Sequence, residues 1–185
     1  MKIDSIIKPF RTKFDPEDLS TRNRLCEAFK NLQDQIDSSG ASSSANKYYT
    51  KAFNNGAVAT VTAVALPIPY NAETSQNGGM HSSTTQNTRF TIKRAGLYTI
   101  IANVQWAAAL VGYRLLQIKV NGANIIASRI DYAGAVAVIQ DQIVVGSDYF
   151  NVGDYIEVIA TQTSGGALNL ASVANFSPYV MVMEN

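Results

Sequence analysis

The amino-acid sequence predicts an antiparallel β sandwich or jelly roll of about eight strands over residues 52–185, preceded by an N-terminal arm and one α-helix. Three observations carry this. Charge is unevenly spread, with 9 of the 15 basic and 7 of the 14 acidic side chains in residues 1–51. The run FTIKRAGLYTIIANVQW, residues 90–106, alternates Tyr98, Ile100, Ala102, Val104 and Trp106 with the mixed set Leu97, Thr99, Ile101, Asn103 and Gln105. That is the period of a strand with one core face. Finally NAETSQNGG, RAG, VG, NGAN, YAG, NVGD and TSGG punctuate the second part with residues that accept turn conformations.

The arm comes first. In residues 1–14 the apolar anchors Ile3, Ile6, Ile7, Phe10 and Phe14 are separated by charges, and Pro9 opposes a continuous helix. Such a peptide forms no core alone; it is either a disordered tail or an arm that docks on a larger body, and its bulky anchors favour docking. In FDPEDLS, Asp15 can cap a helix, Pro16 suits its first turn, and Glu17 and Asp18 complement the positive end of the dipole. Leu25, Phe29, Leu32 and Ile36 then recur at spacings of four, three and four, the a/d seam of a short coiled coil. This stripe packs either on its own head or on other copies as a stalk, and about three turns of seam do not hold an oligomer unaided. The Ser-rich stretch 38–44 is a linker, because small polar side chains offer little packing to offset chain entropy.

Strands are expected near 57–66, 88–93, 97–107, 113–121, 124–130, 136–146, 153–163 and 175–183. RLLQIKV alternates normally, with Leu116, Ile118 and Val120 inward and Gln117 and Lys119 outward. Other strands are apolar on both faces. YVMVM sends Tyr179, Met181 and Met183 one way and Val180 and Val182 the other, and VATVTAVAL carries small apolar or Thr side chains on both. A second apolar face left in water makes a patch that monomers avoid, so a subunit interface is expected.

The ordered set of Phe90, Gly96 with Tyr98, Asn121 with Gly122, and Gly153 with Asp154, set in FTIKRAGLYTIIANVQW, YRLLQIKVNGANI, FNVGDYIEVIATQTSGGALNL and FSPYVMVM, resembles the globular head of the complement and tumour necrosis factor superfamily. The resemblance covers residues 52–185 and implies a ten-stranded jelly roll that trimerises through its inner sheet, against the roughly eight strands read from the residues themselves. Leu97, Ile101, Tyr179, Met181 and Met183 are then the expected trimer interface. The chain shows no collagen-like Gly-X-Y stalk, and MKIDSIIKPF is too interrupted by charge to predict an export signal or membrane anchor. Arm, helix and linker are instead similar to bacteriophage virion appendages, in which an N-terminal segment docks on the particle and a trimeric β head faces outward.

Reactive chemistry is not expected. His81, the one histidine, lies in the polar segment NGGMHSSTTQ and reads as a solvated loop residue. Cys26, the one cysteine, is either a small buried hydrophobe or a reactive or interchain thiol, and excludes an intrachain disulfide. Asp154 reads as a turn residue after Gly153, while Asp141 and Asp148 flank an apolar strand without forming an oxygen cage for calcium. No catalytic group, cofactor or metal is expected, and a near-neutral balance of 15 basic and 14 acidic residues points to no nucleic acid or anionic membrane. Trp106 reads as core, while Tyr113 and Tyr132 flank loops and are the candidate contacts for a receptor such as a host-surface glycan. Two functions follow. One is a homotrimeric virion structural protein held to other virion proteins by its arm; the other is a free secreted or cell-surface lectin-like module.

Overall fold

The structure, a computed structural model, describes Glu27, Phe29, Lys30, Asn31 and residues 47–185 except Asn175. The chain divides into two units, Met1–Asn46 and Lys47–Asn185. In the first, Glu27, Phe29, Lys30 and Asn31 are helical and exposed. The arm residues Ile3, Ile6, Ile7, Phe10 and Phe14, the seam residues Leu25, Leu32 and Ile36, and Cys26 lie outside the described residues.

The second unit runs β1 (Tyr49–Phe53), β2 (Val58–Thr60), β3 (Leu66–Pro67), β4 (Ala72–Asn77), β5 (Arg89–Thr91), β6 (Gly96–Ala109), β7 (Tyr113–Val120), β8 (Asn124–Tyr132), β9 (Val138–Phe150), β10 (Tyr155–Gln162), β11 (Leu168–Leu170) and β12 (Tyr179–Glu184). All pairings between these strands are antiparallel. A seven-stranded sheet is ordered β2-β11-β6-β12-β1-β4, with β9 on the other flank of β6; a five-stranded sheet is ordered β3-β10-β7-β8, with β5 also on β10. The result is a jelly-roll sandwich.

The alternation in β6 places the core as expected. Tyr98, Ile100, Ala102, Val104 and Trp106 are fully buried, facing Leu116, Ile118 and Val120 of β7 and Ile156, Val158 and Ala160 of β10 in one cluster. Val180 and Val182 of β12 join it from the seven-stranded sheet. Each large aliphatic or aromatic side chain so removed from water contributes about 1.5–3 kcal/mol.

Four stretches depart from the expected elements. VATVTAVAL is not one strand. Ala63 adopts a positive φ of 59°, and the chain leaves β2 in the seven-stranded sheet to enter β3 in the other. NAETSQNGG is not only a turn, because Ala72–Asn77 forms β4, an edge strand laddered to β1. Tyr49, Thr50 and Lys51, assigned to the linker side of residue 52, pair with Met183, Val182 and Met181 as part of β1. The short β11 adds a strand in GALNL.

Two anchoring features have measurable consequences. Gly112, in the β6–β7 turn, has φ +79°, and a Cβ there would lie 2.0 Å from the carbonyl oxygen of Thr163. Gly112→Ala is expected to lower stability by roughly 2–3 kcal/mol, read by denaturant unfolding, since it adds a backbone clash to a left-handed strain. The chain end is held by Glu184, whose carboxylate accepts Arg94 Nε at 2.8 Å, Arg94 Nη2, and the Tyr48 amide at 2.9 Å. These bonds to Arg94 hold its carboxyl below the usual carboxylate range, against the opposing effect of burial. A depressed folded-state value means the stabilisation is full above the unfolded carboxylate range and is lost as pH falls through the folded value. Glu184→Gln is expected to cost about 1 kcal/mol at pH 7, discounted because the Arg94 side chain is 42% exposed, with the difference from wild type vanishing in acid. Thermal unfolding of both proteins across pH tests the sign.

Candidate functional site

Side chains at odd positions of β6 and β9 point away from the core, and the register sets them side by side. Leu97 lies opposite Tyr149, Thr99 opposite Ser147, Ile101 opposite Val145 and Asn103 opposite Ile143. On the other flank of β6, Ile101 faces Met181, Asn103 faces Tyr179 and Thr99 faces Met183. β1 extends the same rows, with Tyr49 opposite Met183 and Phe53 opposite Tyr179. The outer face of the seven-stranded sheet therefore carries a band of aliphatic, thioether and aromatic groups. Leu97 is 49% exposed, Val145 56% and Tyr149 63%.

All five residues expected at an interface, Leu97, Ile101, Tyr179, Met181 and Met183, come together on this face. Reasoning from the sequence missed Ile143, Val145 and Tyr149 of β9 and Tyr49 and Phe53 of β1. The signal was present in QIVVGSDYF, where Ile143, Val145 and Tyr149 alternate with Gln142, Val144 and the small Gly146. Polar pairs interrupt or border the band. Thr99 Oγ1 meets Ser147 Oγ at 2.9 Å, and Gln105 Nε2 donates to Asp141 at 3.0 Å. Lys51 lies over the Tyr179 ring, 5.2 Å from its centroid.

Tyr113 and Tyr132 are cross-strand neighbours on β7 and β8, their rings 6.3 Å apart and edge to face. Tyr132 is 70% exposed, and Leu110, Val111, Val136, Val138 and Ile139 are also exposed at this end of the sandwich. Trp106 is core, as expected, and its Nε1 donates to Gln142 Oε1 at 2.7 Å.

His81 is not a solvated loop residue. Its side chain is fully buried, stacked on Phe90 at 4.5 Å between ring centroids, with Nδ1 2.7 Å from Glu73 Oε1 and Nε2 3.2 Å from the Asn87 carbonyl oxygen. Glu73 stands on β4 and Phe90 on β5, so the histidine pins the loop between these strands. Both ring nitrogens lie within hydrogen-bond reach of an oxygen, one on β4 and one in the loop.

The carboxylates of the head are dispersed. Asp154 is a turn residue: its carboxylate accepts Asn121 Nδ2 and the Asn151 amide, each at 2.8 Å. The bond from Asn121, then that from Asn151, holds its carboxyl below the ordinary range. Asp141 and Asp148 sit on opposite faces of β9, roughly 23 Å apart along an extended strand. Among the described residues, no three His, Cys, Asp or Glu side chains are grouped to hold a metal ion, and no helix is long and apolar enough to cross a membrane.

This geometry defines a class: a head with an antiparallel jelly-roll fold. No protein-family model matches the chain, and no curated protein matches it in sequence. Among solved structures it is similar to murine APRIL. The crystal structure of that protein at pH 5.0 superposes with a TM-score of 0.58 at 11% identity, covering 75% of this chain and 99% of that one. The structure at pH 8.5 gives 0.56 at the same identity and coverage. The likeness is one of fold.

Proposed function

We propose that the chain is a non-enzymatic structural protein of a phage virion, a head, neck or tail fibre or appendage, docked by residues 1–14 and displaying a homotrimeric head. The observation that carries the trimer is the apolar outer face of the seven-stranded sheet, which a neighbouring copy of the same face would remove from water. The particle assignment is supported by the sequence order of apolar arm, helix and Ser-rich linker ahead of the head. In this reading the protein is made in the bacterial host cytoplasm and carried on the particle. Three copies of a weak surface site multiply avidity for a repetitive host-surface polymer without tight single contacts.

The solution mass of the full chain tests the trimer: three chains are expected, and a stable single chain at micromolar concentration overturns it. Deleting residues 1–14 tests the docking role. The shortened protein is expected to remain a soluble trimer and to be absent from purified particles; unchanged incorporation removes the arm from the account.

A further inference from the structure

A second feature lies on the other sheet. The loop from Gly79 to Gln86 and the outer side of β5 enclose an open cleft of about 190 Å³. Ser82, Thr85, Gln86, Arg89, Thr91 and Lys93 line it, and none of its lining residues is a carboxylate. Arg89 and Thr91 share one face of β5, with Phe90 between them buried in the core. Its floor is stiffened by the buried His81 contacts to Glu73 and Asn87 and by the Thr91 amide donating to the Met80 carbonyl at 2.7 Å.

The two cations at the cleft differ in a useful way. Arg89 is positioned in advance, its Nε donating to Glu157 Oε1 at 3.0 Å and its guanidinium lying 4.2 Å from the centroid of the Tyr155 ring. Its two terminal nitrogens have no hydrogen-bond partner among the described residues. Lys93 is exposed and forms no ion pair among the described residues. Glu157 balances Arg89, so Lys93 leaves the cleft with a net positive charge, while the hydroxyl and amide groups around it suit a polyhydroxylated ring.

We infer that this cleft binds an anionic saccharide unit, a sugar residue bearing a carboxylate or a phosphate, with Arg89 and Lys93 on the anion and Ser82, Thr85, Gln86 and Thr91 on the hydroxyls. The inference rests on the display role proposed above for its purpose, but every lining residue comes from one chain. The site is also separate from the Tyr113–Tyr132 pair. Arg89 lies opposite Glu157 on β10, whereas Tyr113 lies beyond Gln162, roughly 20 Å along the strand direction.

Saturation-transfer NMR and calorimetry on the full chain provide the test, with a glucuronate oligosaccharide, a phosphorylated glucose oligosaccharide and a neutral glucose oligosaccharide as probes. At least one anionic probe is expected to bind and the neutral one not to; which of the two binds distinguishes carboxylate from phosphate as the source of the anion. Lys93→Glu is expected to weaken that binding at least fivefold, with the fold intact because the side chain is exposed, and Tyr132→Ala to leave it unchanged. No binding of either anionic probe at millimolar concentration, equal binding of the neutral probe, or a smaller loss in Lys93→Glu overturns the assignment. Assembly is read separately. A monomer that binds keeps the cleft and defeats the trimer, whereas a trimer that binds neither anion does the reverse.

Discussion

Ile101→Asp is expected to convert the trimer proposed above into single chains. Ile101 stands in the middle of the outer face, flanked by Val145 on β9 and Met181 on β12. In one chain it is half-buried, so a carboxylate there still reaches water and the fold survives. Closing three such faces on one another would instead draw three carboxylates out of water, and each uncompensated buried charge costs several kcal/mol. The exposed face of one chain has no comparable gain to offset this. Light scattering at micromolar concentration reads the result directly, with Tyr132→Asp, at the far end of the sandwich, as the control expected to retain the assembled mass. An Ile101→Asp protein of unchanged mass would remove this face from the interface.

Trp106→Ala is the second large effect, and it acts on the fold instead of the assembly. Trp106 is the largest fully buried side chain of the head. Its loss opens a cavity beside Leu170, its partner on β11, and leaves Gln142 Oε1 without the indole donor. Large-to-small changes of this kind cost about 3–5 kcal/mol, a large part of the stability of a domain this size. Trp106→Phe loses the same hydrogen bond but keeps most of the volume and is expected to cost less, so the difference between the two variants reports the cavity. Denaturant unfolding followed by circular dichroism ranks the three proteins; the wild type can also be followed by fluorescence, since this is its one tryptophan. Equal stability of the alanine and phenylalanine variants would contradict the cavity argument.

The parts of the fold legible in the sequence are those in which burial alone dictates the pattern. β6, β7 and β12 each have one face in the core, so their alternation survives in the residues; Tyr98 through Trp106 on even positions could be assigned from period alone, whereas β12, apolar on both faces, showed the alternation without showing which face is core. β4 has no such signature. AETSQN is polar on both sides, and its strand conformation comes from the ladder to β1, a contact that only the folded chain supplies. The same gap hid His81, because its partner Glu73 stands on β4 and its stacking partner Phe90 on β5. VATVTAVAL misled for the opposite reason. Its residues favour a strand throughout, and the backbone reversal at Ala63 is imposed by passage between sheets, not by a glycine or proline. The outer face was half legible: β6 and β12 announced it, while the β9 half emerged only from the pairing register. The cleft beside β5 depends on a loop whose composition gives no sign of its shape.

The polarity of β4 has a further consequence. It forms a flank of the seven-stranded sheet, with Glu73, Thr74, Ser75, Gln76 and Asn77 along it and β1 as its one strand partner among the described residues. Unpaired backbone on such a flank invites the ladder to continue into another molecule, which is how folded β proteins polymerise when crowded. A charged and amide-rich flank makes water the better partner for those groups. Lateral growth into filaments through this flank is then disfavoured.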